Sequence, residues 1–185
     1  TRKADSPPIT VADAMEAVLA SILMDKQDAN VLVKRLLEEV KAHPVKRKQG
    51  IRIMLLGSEN DDISFVRMLE SLGVDVVIDD ICVGSRYFWN EVGHGKDLLM
   101  ALASRYADRP PCPNKDPVGN RRITHVAQLA KDYRVQGAIL LLQKFCDPHQ
   151  WQTPEITAKF EQNGIPTLVL ESDVTTSMGQ MQTRI

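Results

Sequence analysis

Five consecutive apolar residues, Ala138-Ile139-Leu140-Leu141-Leu142, run without a polar interruption and stop at Gln143-Lys144-Phe145-Cys146-Asp147-Pro148-His149. A strand with one wet face alternates apolar and polar positions. A strand of a parallel sheet is covered on both faces and reads as a continuous apolar run. This pattern commits the flanking chain to helices packed on both sides of a sheet. It also locates chemistry, because open α/β sheets bind ligands beyond the carboxyl ends of their strands. An amine, a thiol, a carboxylate and an imidazole follow the end of this run within six residues, Lys144 to His149.

The rest of the chain supplies the other layers. Thr10 reads as an N-cap with Asp13 in the first turn, and Val11, Met15, Val18, Leu19 and Ile22 recur at helical spacing. A second helix follows, with Val31, Val33, Leu36, Leu37 and Val40 as its expected buried side, and Lys41 to Gly50 reads as a linker. Ile51 to Leu56 is a short apolar strand. Gly57-Ser58-Glu59-Asn60-Asp61-Asp62 then turns into a helix carrying Phe65, Met68, Leu69 and Leu72, which Gly73 closes. Val74 to Ile78 is a strand rich in β-branched residues, which completes a βαβ unit.

Asp97 to Ala107 predicts a helix with Leu98, Leu99, Leu102 and Tyr106 on one side, and Arg109-Pro110-Pro111-Cys112-Pro113 excludes helix and interior strand. Arg122 to Tyr133 predicts a helix that turns Ile123, Val126, Ala127 and Ala130 inward. Thr153-Pro154-Glu155 reads as a helix start with Thr as N-cap and Pro at the first helical position, Gly164 ends that helix, and Pro166 to Leu170 form a fourth strand. The expected fold class is α/β: a doubly wound, mainly parallel four-stranded flavodoxin-like sheet in order 2-1-3-4 with an N-terminal helical extension. Residues 1–45 form that extension, and 46–185 form the α/β lobe, which reads as cut short at its C-terminus.

Composition narrows the function classes. A formal charge of −1 with 25% charged residues gives no electrostatic case for nucleic acid or an acidic membrane surface. No apolar run approaches the roughly 18–20 residues needed to span a bilayer. The first residues lack the apolar core of a secretory signal. Three widely spaced cysteines, at 82, 112 and 146, argue against a disulfide framework and fit a reducing cytoplasm.

In a parallel sheet four loops meet at one edge: Gly57 to Asp62, Asp79 to Arg86, Gln143 to His149 and Glu171 to Thr176. Gly57-Ser58 is a tight turn or a weak phosphate loop, with neither a dinucleotide fingerprint nor a Walker sequence around it. Asp79 and Asp80 suit a ribose or a metal, or helix capping. Arg86-Tyr87-Phe88-Trp89 is either a helix turn that anchors its loop or a surface for stacking a ligand or a subunit. Cys82, between Ile81 and Val83, reads as a packed small apolar residue, and Cys112 is caged by prolines. Cys146 has left its strand. It is an inert thiol, a nucleophile with His149 as its base, or a metal ligand that needs thiolates from elsewhere, since the chain has no close cysteine pair.

Several separated motifs occur together and in order: Asp79-Asp80-Ile81-Cys82-Val83-Gly84-Ser85-Arg86-Tyr87-Phe88-Trp89, Arg109-Pro110-Pro111-Cys112-Pro113, Lys144-Phe145-Cys146-Asp147-Pro148, and Gly179-Gln180 through Thr183-Arg184. Over about Ile51 to Ile185 they resemble the C-terminal half of subunits of the 2-hydroxyacyl-CoA dehydratase and benzoyl-CoA reductase family, with a lean to the benzoyl-CoA reductase-like branch. The resemblance implies a heterodimer with a paralogous subunit. It implies an acyl-CoA thioester as substrate and an ATP-dependent activator as the source of single electrons. It further implies a [4Fe–4S] cluster held on three cysteines, one of them from this lobe. On that resemblance Cys146 is the cluster ligand, while Lys144, Asp147, His149 and Arg86 are possible contacts around it. The other two ligands are expected outside this chain, so the chain alone is expected to bind no intact cluster and to be inactive. The alternatives are dehydration of a 2-hydroxyacyl-CoA and a non-catalytic binding or assembly module on the same fold.

Overall fold

The computed structural model describes residues 3–4, 7–43, 49–115, 120–173 and 178–185. Helices α1 (Val11–Leu23) and α2 (Lys26–Ala42) come first, followed by β1 (Ile51–Gly57), α3 (Ile63–Ser71) and β2 (Val74–Asp80). Then come α4 (Ser85–Phe88), α5 (Leu98–Asp108), α6 (Arg121–Asp132), β3 (Gly137–Gln143), α7 (Asp147–Gln162), β4 (Thr167–Ser172) and α8 (Met178–Gln182). All pairings are parallel and the order is β2-β1-β3-β4, as the continuous apolar runs require.

Strand alternation divides the core into two layers. Ile53, Leu55, Val76, Ile139, Leu141 and Leu170 meet Val11, Ala12 and Met15 of α1 and Phe65, Val66 and Leu69 of α3 on one face. Met54, Leu56, Val77, Ile78, Ala138 and Leu140 meet Val126, Leu129 and Ala130 of α6 and Ile156 and Phe160 of α7 on the other. Thr10 caps α1 by accepting from the Asp13 N–H at 2.9 Å, as read from the sequence. Gly57 ends β1 at φ +136°, where a Cβ would lie 1.9 Å from the Leu141 carbonyl oxygen, so no other residue fits.

The structure corrects several expectations. On α2 only Ala29 is buried, and Val31 and Leu37 of its expected inner side are exposed. On α5 no residue is buried, and Leu98, Leu99, Leu102 and Tyr106 all face out. Both helices are amphipathic or apolar by pattern, but periodicity gives a face and not its partner. Helix α7 starts at Asp147, so Thr153 is no cap and Pro154 lies inside the helix. Pro148 in the first turn and the backbone bonds from His149 and Gln150 N–H to the Cys146 carbonyl start it well before the Thr-Pro signal at Thr153-Pro154. The linker reading over Lys41 to Gly50 falls partly on 44–48, outside the described residues.

Candidate functional site

The β1, β2 and β3 loops are zipped together at the carboxyl edge of the sheet. The Ser58 N–H donates to the Leu141 carbonyl at 3.3 Å, its hydroxyl accepts from the Gln143 N–H at 2.8 Å, and its carbonyl accepts from the Cys82 N–H at 3.4 Å. The turn after Gly57 therefore spends its polar groups on the neighbouring loops, which supports the tight-turn reading. Of the fourth loop, 174–176 lie outside the described residues.

The two aspartates that end β2 have separate tasks. Asp79 accepts from the Ser85 N–H at 2.6 Å and from its hydroxyl at 2.8 Å, which fastens the start of α4. Gly84 stays glycine because a Cβ there would meet Asp79 Oδ1 at 2.0 Å. Asp80 is the centre of a buried ion cluster. Arg86 donates to it through Nε at 3.1 Å and Nη2 at 3.0 Å, and Arg122 Nη1 also donates to Oδ2. All three side chains are nearly sealed from solvent, at 2% exposure for Asp80, 4% for Arg86 and 0% for Arg122. Burial pushes the Asp80 carboxyl up, but the Arg122 and Arg86 guanidiniums outweigh it and hold it well below the usual carboxylate range. Capping and ion pairing thus account for both aspartates.

Arg86 and Arg122 extend the cluster to the thiol-bearing segments. Arg86 Nη1 donates to Cys82 Sγ at 3.5 Å, and Arg122 Nε donates to Gln152 Oε1 of α7 at 2.8 Å. Cys82 is exposed, not packed as its apolar neighbours suggested, because Ile81 turns into the core and the next residue is left at the rim. Partial burial raises its thiol pKa, with the Arg86 charge opposing. Cys112 is half-buried between the buried Pro111 and Pro113.

Cys146 stands at the N-cap of α7, half-buried, with its side chain making no capping hydrogen bond. The turn that delivers it is strained: Phe145, 92% exposed, has φ +68°, a left-handed conformation that bulky residues rarely adopt. Lys144 pairs with Asp173 at 3.0 Å, on the side of β4, and this pairing raises its pKa. Asp147 is exposed in the first turn of α7. His149 is buried with Nε2 lacking a hydrogen-bond partner, and burial, reinforced by the Arg122 and Arg86 charges, lowers its pKa to about 3. It is a neutral imidazole facing a cationic cluster. Of the Arg-Tyr-Phe-Trp run, Arg86 anchors the loop, while Phe88 and Trp89 stay exposed and the Trp89 ring meets His125 edge-on at 5.2 Å. Sequence reading missed Arg122 and Gln152. The signal was an arginine among the inward positions of an otherwise amphipathic helix.

The sheet edge defines an α/β domain with one thiol at a helix start and a buried Asp–Arg–Arg cluster behind it. Residues 1–185 match the family described as 2-hydroxyglutaryl-CoA dehydratase, D-component, and the chain belongs to that family. It is 30% identical over 151 residues to the (R)-phenyllactyl-CoA dehydratase beta subunit of Clostridium sporogenes, covering 82% of this chain and 40% of that one. It is 27% identical to the lactoyl-CoA dehydratase beta subunit of Anaerotignum propionicum, covering 98% and 50%. It is 21% identical to a benzoyl-CoA reductase subunit from Thauera aromatica, covering 92% and 45%. The chain spans about half the length of the curated relatives it matches.

Among the described residues, no group of three or more His, Cys, Asp or Glu side chains is placed to hold a metal ion. A complete four-iron cluster does not fit these residues alone, because it needs several converging thiolates. A single ligand position does fit at Cys146, whose thiol is half-exposed and not engaged in capping its helix. No helix among the described residues is long and apolar enough to cross a membrane.

Proposed function

We propose that this chain is part of a subunit of an acyl-CoA enzyme, in which Cys146 supplies one thiolate to a [4Fe–4S] cluster whose other ligands lie outside it. The observation that carries the reading is the family match over the whole chain, on a fold whose carboxyl edge presents an uncommitted thiol. When bound, the cluster would supply one-electron chemistry to an acyl-CoA thioester. The chain's own residues orient the ligand: the strained turn at Phe145 and the first turn of α7 place Cys146 at the rim. A paralogous partner subunit and an ATP-dependent activator belong to the same proposal. Identities of 30% and 27% to dehydratase beta subunits, against 21% to a reductase subunit, favour dehydration of a 2-hydroxyacyl-CoA over ring reduction.

The test has two arms. Anaerobic reconstitution of this chain alone with iron and sulfide is expected to give no stable four-iron cluster absorption, and a stoichiometric cluster would overturn the reading. In the full-length complex, supplied with activator and ATP, 2-hydroxyacyl-CoA is expected to give enoyl-CoA, and Cys146→Ser is expected to lose cluster iron from this subunit. Conversion of benzoyl-CoA instead would move the assignment to the reductase, and unchanged iron in Cys146→Ser would remove Cys146 from the ligand set.

A further inference from the structure

Helix α7 is built in two unequal halves. Its second half is fixed by apolar burial, with Ile156 at 2% and Phe160 at 0% exposure in the core between α6 and the sheet. Its first half has no buried apolar residue: His149 and Gln152 are its only buried side chains, and Trp151 is 81% exposed. Pro154 separates the halves. It offers no N–H to the Gln150 carbonyl, and its ring crowds that carbonyl. The Thr153 hydroxyl also donates back to the His149 carbonyl at 2.8 Å, a bond associated with bent helices. The position of the first turn therefore does not follow from the anchoring of the last.

Among the described residues, one side-chain hydrogen bond joins that first half to another helix, beside the backbone bond from the Cys146 N–H to the Gln143 carbonyl at its start. Arg122 Nε donates to Gln152 Oε1 at 2.8 Å, while Nη1 of the same guanidinium is fixed to Asp80 at the end of β2. Arg122 is fully buried, so this is a charge-assisted bond with no competing water. The planar guanidinium links α7 rigidly to the central sheet.

We infer that Arg122 is a positioning residue: clamped between Asp80 and Gln152, it sets the place of the first turn of α7, and with it Cys146, independently of the apolar anchoring beyond Pro154. The catalytic consequence rests on the reading of Cys146 as a cluster ligand, but the clamp itself does not.

Hydrogen exchange on the 185-residue chain tests it without any cluster, so failure here and failure of the ligand assignment are separable. Gln152→Met removes the contact and keeps the Asp80–Arg86–Arg122 cluster. Amides of residues 150–153 are expected to exchange about tenfold faster or more, while those of β1, β3 and residues 157–161 stay unchanged. Gln152→Glu, which restores an acceptor for Arg122, is expected to return the first-half amides to wild-type protection. A merely structural role would move all amides together. A uniform rise, no rise, or a failure of Gln152→Glu to rescue would overturn the clamp. Arg122→Met carries the second measurement: if it folds, it shows the same local rise. If it does not fold, the two Gln152 variants decide the matter alone.

Discussion

Replacing Asp80 by Asn isolates the energy stored at the edge of the sheet. Asn keeps the shape but removes the charge that Arg86 and Arg122 share, and its amide N–H groups turn toward donors. Arg86 retains the carbonyls of Asp80 at 2.5 Å and Gly57 at 3.4 Å, so not every bond is lost. Two guanidiniums at 4% and 0% exposure are left without a counter-charge. Breaking one buried pair costs about 3–5 kcal/mol, and charge-assisted bonds contribute about 1.5–3 kcal/mol each. The surviving carbonyl contacts put the expected loss near 4 kcal/mol, a large share of the roughly 5–15 kcal/mol typical of a domain. With a urea m-value of about 2 kcal/mol/M, the midpoint followed by circular dichroism falls by about 2 M. The triple variant Asp80→Leu, Arg86→Met, Arg122→Met removes all three charges together and is expected to be more stable than Asp80→Asn, because the cost lies in the unpaired cations and not in lost attraction. A midpoint shift under about 0.5 M for Asp80→Asn, or a triple variant less stable than the single one, would refute the reasoning.

Two further outcomes follow from the same geometry. The unfolded chain protonates His149 near 6.5, while the folded chain resists until about 3. The stability tied to this group is thus complete above pH 6.5 and lost as pH falls from there toward 3, by up to roughly 5 kcal/mol. His149→Gln is expected to flatten urea midpoints measured between pH 7 and pH 4, and an unchanged acid slope would contradict the buried neutral imidazole. Gly57→Ala places a methyl against the Leu141 carbonyl at a left-handed φ, and is expected to cost at least about 3 kcal/mol by the same assay. A shift below about 1 kcal/mol would mean that the β1 turn can relax.

Local signals carried much of the fold. The short apolar strand at Ile51 to Leu56 and the unalternated run at Ala138 to Leu142 pointed to a covered parallel sheet, Gly73 ended α3 at φ +83°, and Thr10 capped α1. These features depend on neighbours within a few residues, so a sequence displays them directly. The Thr-Pro pair at Thr153 misled for the same reason: its local chemistry suits a helix start, yet the turn at Cys146 had already begun the helix.

What the sequence by itself determined was the sheet, its order and the ending of β3 shortly before Cys146, because backbone periodicity and strand crossovers are set by local pattern and chain handedness. The tertiary structure alone decided which charges meet. Arg122 reaches Asp80 across 42 positions and Gln152 across 30, and Lys144 turns to Asp173 across 29. The helical pattern marks Arg122 as an inward position, but nothing in it names the carboxylate and the amide that Arg122 meets there. Only packing removes water from a particular trio, and only then does their pairing become strong enough to fix a helix and the thiol at its tip.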